Sequence, residues 1–132
     1  MDMTPSRPDR KIQVPDVILA FIIGILVSVV PVLFHGNAYY RDDMQAQFMS
    51  MYYAIGSNML HHHSLPILTT QSWLGGNIAG EFQYGIFNPL DLFLLCFLPL
   101  FSTLSKGAAF LAIVHYGILA AGSYVLARAA NI

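Results

Sequence analysis

Apolar positions fall into three blocks separated by polar or turn-rich sequence. Residues 17–34 (VILAFIIGILVSVVPVLF) carry no charged side chain, and at 1.5 Å per residue they reach about 27 Å, close to the hydrocarbon thickness of a bilayer. The pattern predicts a first transmembrane helix. A second block covers 86–101 (IFNPLDLFLLCFLPLF) and a third 108–127 (AAFLAIVHYGILAAGSYVLA), with a polar turn between them. These read as a membrane hairpin, giving three spans. Pro99 is placed to end or kink the second helix, while Gly107, Gly117 and Gly122 let the third approach its neighbours closely.

The long non-spanning region is 35–85. Within it Phe48, Met51, Tyr52, Ile55 and Met59 recur at three- and four-residue intervals, the spacing of an amphipathic helix over about 43–60 that would lie along the membrane interface. Asp42 is placed to cap that helix with Gln45 completing a capping box. Asp43 and Gln47, four residues apart, would project from one face, continued by Ser50 and opposite the apolar stripe. A carboxylate held ionised at a helix N-terminus can serve as a weak general base or a cation ligand.

Composition agrees with a membrane protein: 56% of residues are hydrophobic, 10% charged, and the mean hydropathy is +0.59. Six Lys and Arg against seven Asp and Glu leave a net charge of -1, so no basic field exists to hold nucleic acid. Arg7, Arg10 and Lys11 precede the first span and place the N-terminus in the cytoplasm. Residues 1–16, rich in Pro and charge, read as a disordered cytoplasmic leader. No small-x-small cleavage pattern follows the first span, so a signal anchor is preferred to a signal peptide. Region 35–85 then lies outside the cytosol. Lys106 fits a cytoplasmic corner between the second and third spans, whereas three crossings leave Arg128 outside, against the charge rule.

Other groups carry weaker chemistry. Cys96 is the single cysteine and permits no internal disulfide. His61, His62 and His63 are adjacent and point in different directions, unlike the i, i+4 pair of a helical zinc site, so no metal site is expected. His115 lies within a span, where interhelical hydrogen bonding is its expected role, and Asp91 should face a bundle interior, an aqueous cleft or the interface. Glu81 is a further loop carboxylate, and Trp73, Phe82, Tyr84 and Phe87 read as interfacial aromatics.

The order of motifs resembles a known family. A signal-anchor helix is followed by Asp43, Gln47 and Phe48, then by Ser72-Trp73-Leu74-Gly75-Gly76-Asn77, an aromatic pair, Asn88-Pro89-Leu90, and a third helix closing on Tyr124-Val125-Leu126-Ala127-Arg128. This is similar to the N-terminus of YfhO-type bacterial membrane proteins, and the likeness runs from about Val17 to the end of the chain. Asp91 departs from the family pattern, which usually has Asn there, and the three histidines have no counterpart in it.

The resemblance implies an all-α integral membrane protein of the GT-C type, multi-pass in a bacterial cell membrane. It would transfer a sugar from a polyprenyl-phosphate carrier to a cell-envelope polymer, such as a teichoic acid, on the extracytoplasmic face. Asp43 matches the acidic position of the first outer loop, expected to deprotonate the acceptor hydroxyl or to help hold a divalent cation. Gln47 would orient acceptor or phosphate groups, with Asp42, Gly75, Gly76 and Asn77 also at the substrate. The two glycines would form the turn that folds the loop back over the site. Family enzymes are several times longer, so the chain reads as an N-terminal piece that alone should be inactive. The alternative is a small, non-catalytic three-helix membrane subunit or a transporter fragment.

Overall fold

The computed structural model describes residues 12–42, 44–65, 68–69, 76–77 and 88–130, with the backbone alone for Ala46, Gln47 and the four residues of two short strands. In chain order these form helix α1 (Val14–Phe34), a π-helical turn (Met44–Phe48), helix α2 (Met49–His62), strands β1 (Leu68–Thr69) and β2 (Gly76–Asn77), helix α3 (Pro89–Leu95), a 3-10 turn (Leu98–Leu100) and helix α4 (Leu104–Ala129). Among the described residues the regular structure is thus helical apart from a minimal antiparallel ladder in which Leu68 pairs with Asn77 and Thr69 with Gly76. The chain divides into two compact units, one of Met1–Val30 with Ile113–Ile132, the other Pro31–Ala112.

In the first unit α1 and α4 run antiparallel. Their backbones approach so closely that a Cβ on Gly24 would lie 2.5 Å from the Tyr116 carbonyl oxygen and 2.8 Å from the Ala120 Cβ. Only glycine tolerates that separation, the small-residue contact by which apolar helices gain packing where no hydrophobic drive exists. Farther along, the Tyr124 hydroxyl donates to Asp16 Oδ2 at 2.7 Å, and Arg128 Nε donates to the same hydroxyl at 3.0 Å. The Arg128 Nη2 to Asp16 Oδ2 separation is 3.8 Å. The start of α1 is therefore fastened to the end of α4. Asp16 also suits its position in the first turn of α1, where a carboxylate complements the helix dipole.

Both helices are long and apolar enough to cross a membrane. Their 21 and 26 residues reach about 31 and 39 Å. The outward face of α1 is aliphatic from Ile18 to Val30, with Ile18, Leu19, Ile22, Ile23, Leu26, Val27 and Val30 exposed. Ser28 is buried, and its hydroxyl donates to the Ile25 carbonyl at 2.8 Å, which satisfies it within the helix.

Three spans were expected, and among the described residues two helices are long and apolar enough to cross a membrane, the second apolar block being shorter. The block 86–101 yields the seven-residue α3 and the three-residue 3-10 turn. Asn88 caps α3 by accepting from the Leu90 N–H at 3.0 Å. At the other end Pro99 has no N–H with which to continue an α-helix, and the chain tightens to 3-10 geometry. Seven helical residues rise about 10 Å, a third of a bilayer core.

The interfacial role expected of the helix after position 43 also changes. Its stripe is spent inside the protein: Met49, Met51 and Ile55 of α2 are buried, as are Leu94, Leu95, Leu98, Ala108, Ala109 and Leu111. A Cβ on Gly56 would run into the carbonyl of Leu95, so α2 rests directly on the backbone of α3. Phe110 of α4 joins this core, its ring centroid 5.0 Å from Phe101 and 6.2 Å from Phe97. Helix α4 begins four residues before the apolar block 108–127, because the Thr103 hydroxyl accepts from the Lys106 N–H at 3.3 Å and so caps the first turn. Ser105 Oγ donates to the Gly36 carbonyl at 3.0 Å, joining the segment after α1 to the first turn of α4.

Candidate functional site

The site residues expected from sequence cluster around the entry to α2, and the local backbone there is irregular. Asp42 takes φ 49°, left-handed rather than the extended conformation of an N-cap. The Gln45 N–H instead bonds the Arg41 carbonyl at 3.4 Å, so the expected capping box of Asp42 and Gln45 is not built. A π-helical turn then occupies Met44–Phe48 and runs straight into α2, whose N-cap residue Phe48 is itself helical. Asp42 is exposed. Asp43 lies outside the described residues, and Gln47 is placed by its backbone within the π turn. The shared face inferred for these two presumes 3.6 residues per turn, whereas a π turn closes i to i+5.

Beyond the turn, α2 is regular and two-faced. With its apolar stripe buried against α3 and the start of α4, the opposite face is left to solvent. Ser50, Tyr53, Ala54, Ser57, Asn58 and His62 line a groove there of about 290 Å³. These positions follow 3-, 4- and 7-residue intervals, one face of a helix. The groove offers three hydroxyls, an amide and an imidazole, and none of these lining side chains is a carboxylate or an ammonium. It runs toward the C-terminal end of α2, where the helix dipole opposes an anion. Neutral donors and acceptors beside an exposed aromatic ring suit an uncharged polyhydroxylated ligand.

The helix end is held by two devices. Asn58 Nδ2 donates to the Ser64 carbonyl at 2.9 Å and lies 3.4 Å from the Ser64 hydroxyl. His63 sits in the left-handed conformation, φ 51°, and its N–H bonds the Met59 carbonyl at 3.1 Å. That is a C-cap position where glycine is usual. His61, His62 and His63 are exposed, and among the described residues no three His, Cys, Asp or Glu side chains gather to hold a metal ion.

The remaining expected residues are dispersed. Gly76 and Asn77 form β2 against β1, and Gly75 lies outside the described residues, as do Glu81, Trp73, Phe82, Tyr84 and Phe87. Asp91 is half-buried in the first turn of α3, where Oδ2 accepts from Asn88 Nδ2 at 2.8 Å. His115 is an exposed residue of α4. Cys96 is half-buried, its Sγ 4.0 Å from Met59 Sδ.

Sequence reasoning followed the carboxylates and stopped at Ser50. The signal for the groove was present as the polar partner of the apolar stripe, carried by Tyr53, Ser57, Asn58 and His62. No protein-family model, curated protein or solved structure matches the chain.

Proposed function

We propose that the chain forms the N-terminal part of a GT-C type membrane glycosyltransferase, transferring a sugar from a polyprenyl-phosphate carrier to a cell-envelope polymer outside the cytosol of a bacterium. The observation that carries the proposal is the polar groove on α2. It lies in the segment between the two long apolar helices, and its helix is entered through a π-helical turn directly after Asp43. π turns within helices are frequent at functional sites. The motif order that resembles the YfhO-type family supplies the reaction class.

Two antiparallel crossings bring the ends at Asp16 and Arg128 to one membrane face. With Arg7, Arg10 and Lys11 that face is the cytoplasmic one. Arg128 then joins the basic N-terminal group and Lys106 moves to the other side, so the charge bias is as strong as with three crossings and the conflict over Arg128 disappears. The segment from Phe34 to Leu104 is extracytoplasmic.

In the proposed reaction the Asp43 carboxylate takes the proton of an acceptor hydroxyl. The freed oxygen attacks the anomeric carbon as the bond from that carbon to the carrier phosphate breaks. The sugar is transferred with inversion, and polyprenyl phosphate leaves with the bonding electron pair. Gln47 orients acceptor or phosphate groups, and the groove from Ser50 to His62 receives a neutral sugar ring. Asp42, Gly75, Gly76 and Asn77 contribute the surrounding loop.

Asp43→Asn in the full-length enzyme tests this. Transfer of labelled sugar from carrier to polymer in membrane preparations should be abolished, with membrane insertion intact. Undiminished transfer by the variant would overturn the assignment, and absence of transfer in the unmodified protein would favour the non-catalytic subunit.

A further inference from the structure

The apolar sequence of α3 exceeds what its packing uses. Leu94 and Leu95 of α3 and Leu98 of the following 3-10 turn are buried, which accounts for one side of this segment. Leu90 and Phe93 of α3, Phe97 just after it and Leu100 of the 3-10 turn are left outside that core. They are exposed by 40%, 61%, 36% and 70%. Phe93 and Phe97 meet edge to face at 5.1 Å, Phe97 at the edge of the core beside Phe110 and Phe93 farther out. No charged side chain interrupts this set; Asp91 is half-buried and held by Asn88.

We infer that the Leu90, Phe93, Phe97 and Leu100 face is a membrane-docking surface, lying flat in the headgroup and upper acyl region of the leaflet at which α1 ends and α4 begins. The occupant follows from chain connectivity. Leu100 is four residues from Leu104, the first residue of a helix long enough to span, so the two cannot be more than about 14 Å apart. The Ser105 to Gly36 hydrogen bond holds the segment after α1 at that same level, and the exposed Leu33 and Phe34 mark it as apolar. A short helical segment with apolar side chains inside and outside the core, tethered at the mouth of a span and too short to cross, is covered by protein on one side and by lipid on the other. Phe and Leu are side chains that a helix lying in the interface buries on its lipid side. Helix α3 is then the plate on which α2 rests, and its depth fixes the height of the α2 groove above the bilayer. Because the face carries no cation, docking does not depend on anionic lipid.

The inference rests on the two-crossing topology of the proposed function and not on sugar transfer. The experiment uses the whole chain in phosphatidylcholine vesicles, with Trp73→Phe removing the single native tryptophan and Phe93→Trp as reporter. Leu26→Trp on the aliphatic face of α1 calibrates the bilayer centre, and Tyr53→Trp in the groove calibrates water. The Phe93→Trp reporter should emit at shorter wavelength than Tyr53→Trp and lose most emission to lipids brominated just below the headgroup. Lipids brominated at the chain ends should quench it less than they quench Leu26→Trp, and added anionic lipid should change neither result. Quenching that matches Leu26→Trp would make the segment a crossing and overturn the inference. Quenching by aqueous acrylamide that matches Tyr53→Trp, or protection from every quencher by a protein cover, would overturn it as well. Leu100→Trp gives the same reading where Phe93→Trp fails to insert.

Discussion

Gly56 is the point at which α2 and α3 touch backbone to backbone, and its replacement by alanine is the sharpest test of that packing. The added methyl would meet the Leu95 carbonyl, with the Leu95 carbonyl carbon at 2.8 Å and Pro99 Cδ at 3.4 Å. Two of these three atoms are backbone in a helix, so the neighbour cannot yield by rotating a side chain. Overpacking of this kind costs about 1–3 kcal/mol, and a backbone obstacle places it at the upper end. Alanine's better helix propensity returns about 1 kcal/mol. The net loss of about 2 kcal/mol falls on the opening of α2 from α3. Cys96, half-buried with Sγ 4.0 Å from Met59 Sδ, is the only thiol in the protein and reports that opening directly. A change of about 2 kcal/mol raises its alkylation rate by about 30-fold when labelling proceeds through the open state. Gly122→Ala, where the methyl meets nothing within 4 Å, is the control and should leave labelling unchanged. Equal rates in Gly56→Ala and the unmodified protein would refute the close packing, as would an equal acceleration in Gly122→Ala.

Three further outcomes are expected. Gly24→Leu should drive α1 from α4 and lower the thermal unfolding midpoint in detergent, by a destabilisation of about 1–3 kcal/mol or more, while Gly122→Leu should leave the midpoint unchanged. Tyr124→Phe removes the 2.7 Å hydrogen bond to Asp16 and should lower stability by about 1 kcal/mol in denaturant titration. His63→Gly relieves a left-handed backbone at the end of α2 and should stabilise by about 1 kcal/mol, seen as slower hydrogen exchange of amides in the last turn of that helix.

Long apolar runs were the most legible part of the chain, since a stretch free of charge can be judged by length and composition alone. Two of the three runs are long enough as helices to cross a bilayer. The run 86–101 could not be judged that way, because periodicity does not distinguish a buried short helix from part of a span. Asn88 and Pro99 divide it, and hydropathy averages across both. The stripe from Phe48 to Met59 was legible as a helical face, but its covering was not: sequence cannot say whether an apolar face meets lipid or protein, and Gly56 against Leu95 decides for protein. The phase of the turn that carries Gln47 was illegible for another reason. Spacing arguments assume a regular helix, and neither the left-handed Asp42 nor the π turn carries a glycine or proline signal.

Two hydrogen bonds also bear on biogenesis. The stitch from Ser105 to Gly36 joins residues 69 apart, and the fastening of Tyr124 to Asp16 joins residues 108 apart. Loop-closure entropy grows only with the logarithm of length, so the two closures differ by about 0.4 kcal/mol if made independently. On a ribosome they are not independent. Ser105 emerges before Tyr124, and once it has found Gly36 the remaining separation is bridged by two helices that need only zip along each other from the stitched end. Helix α1 must wait, with Gly24 uncovered, until Tyr116, Gly117 and Ala120 of α4 have been made.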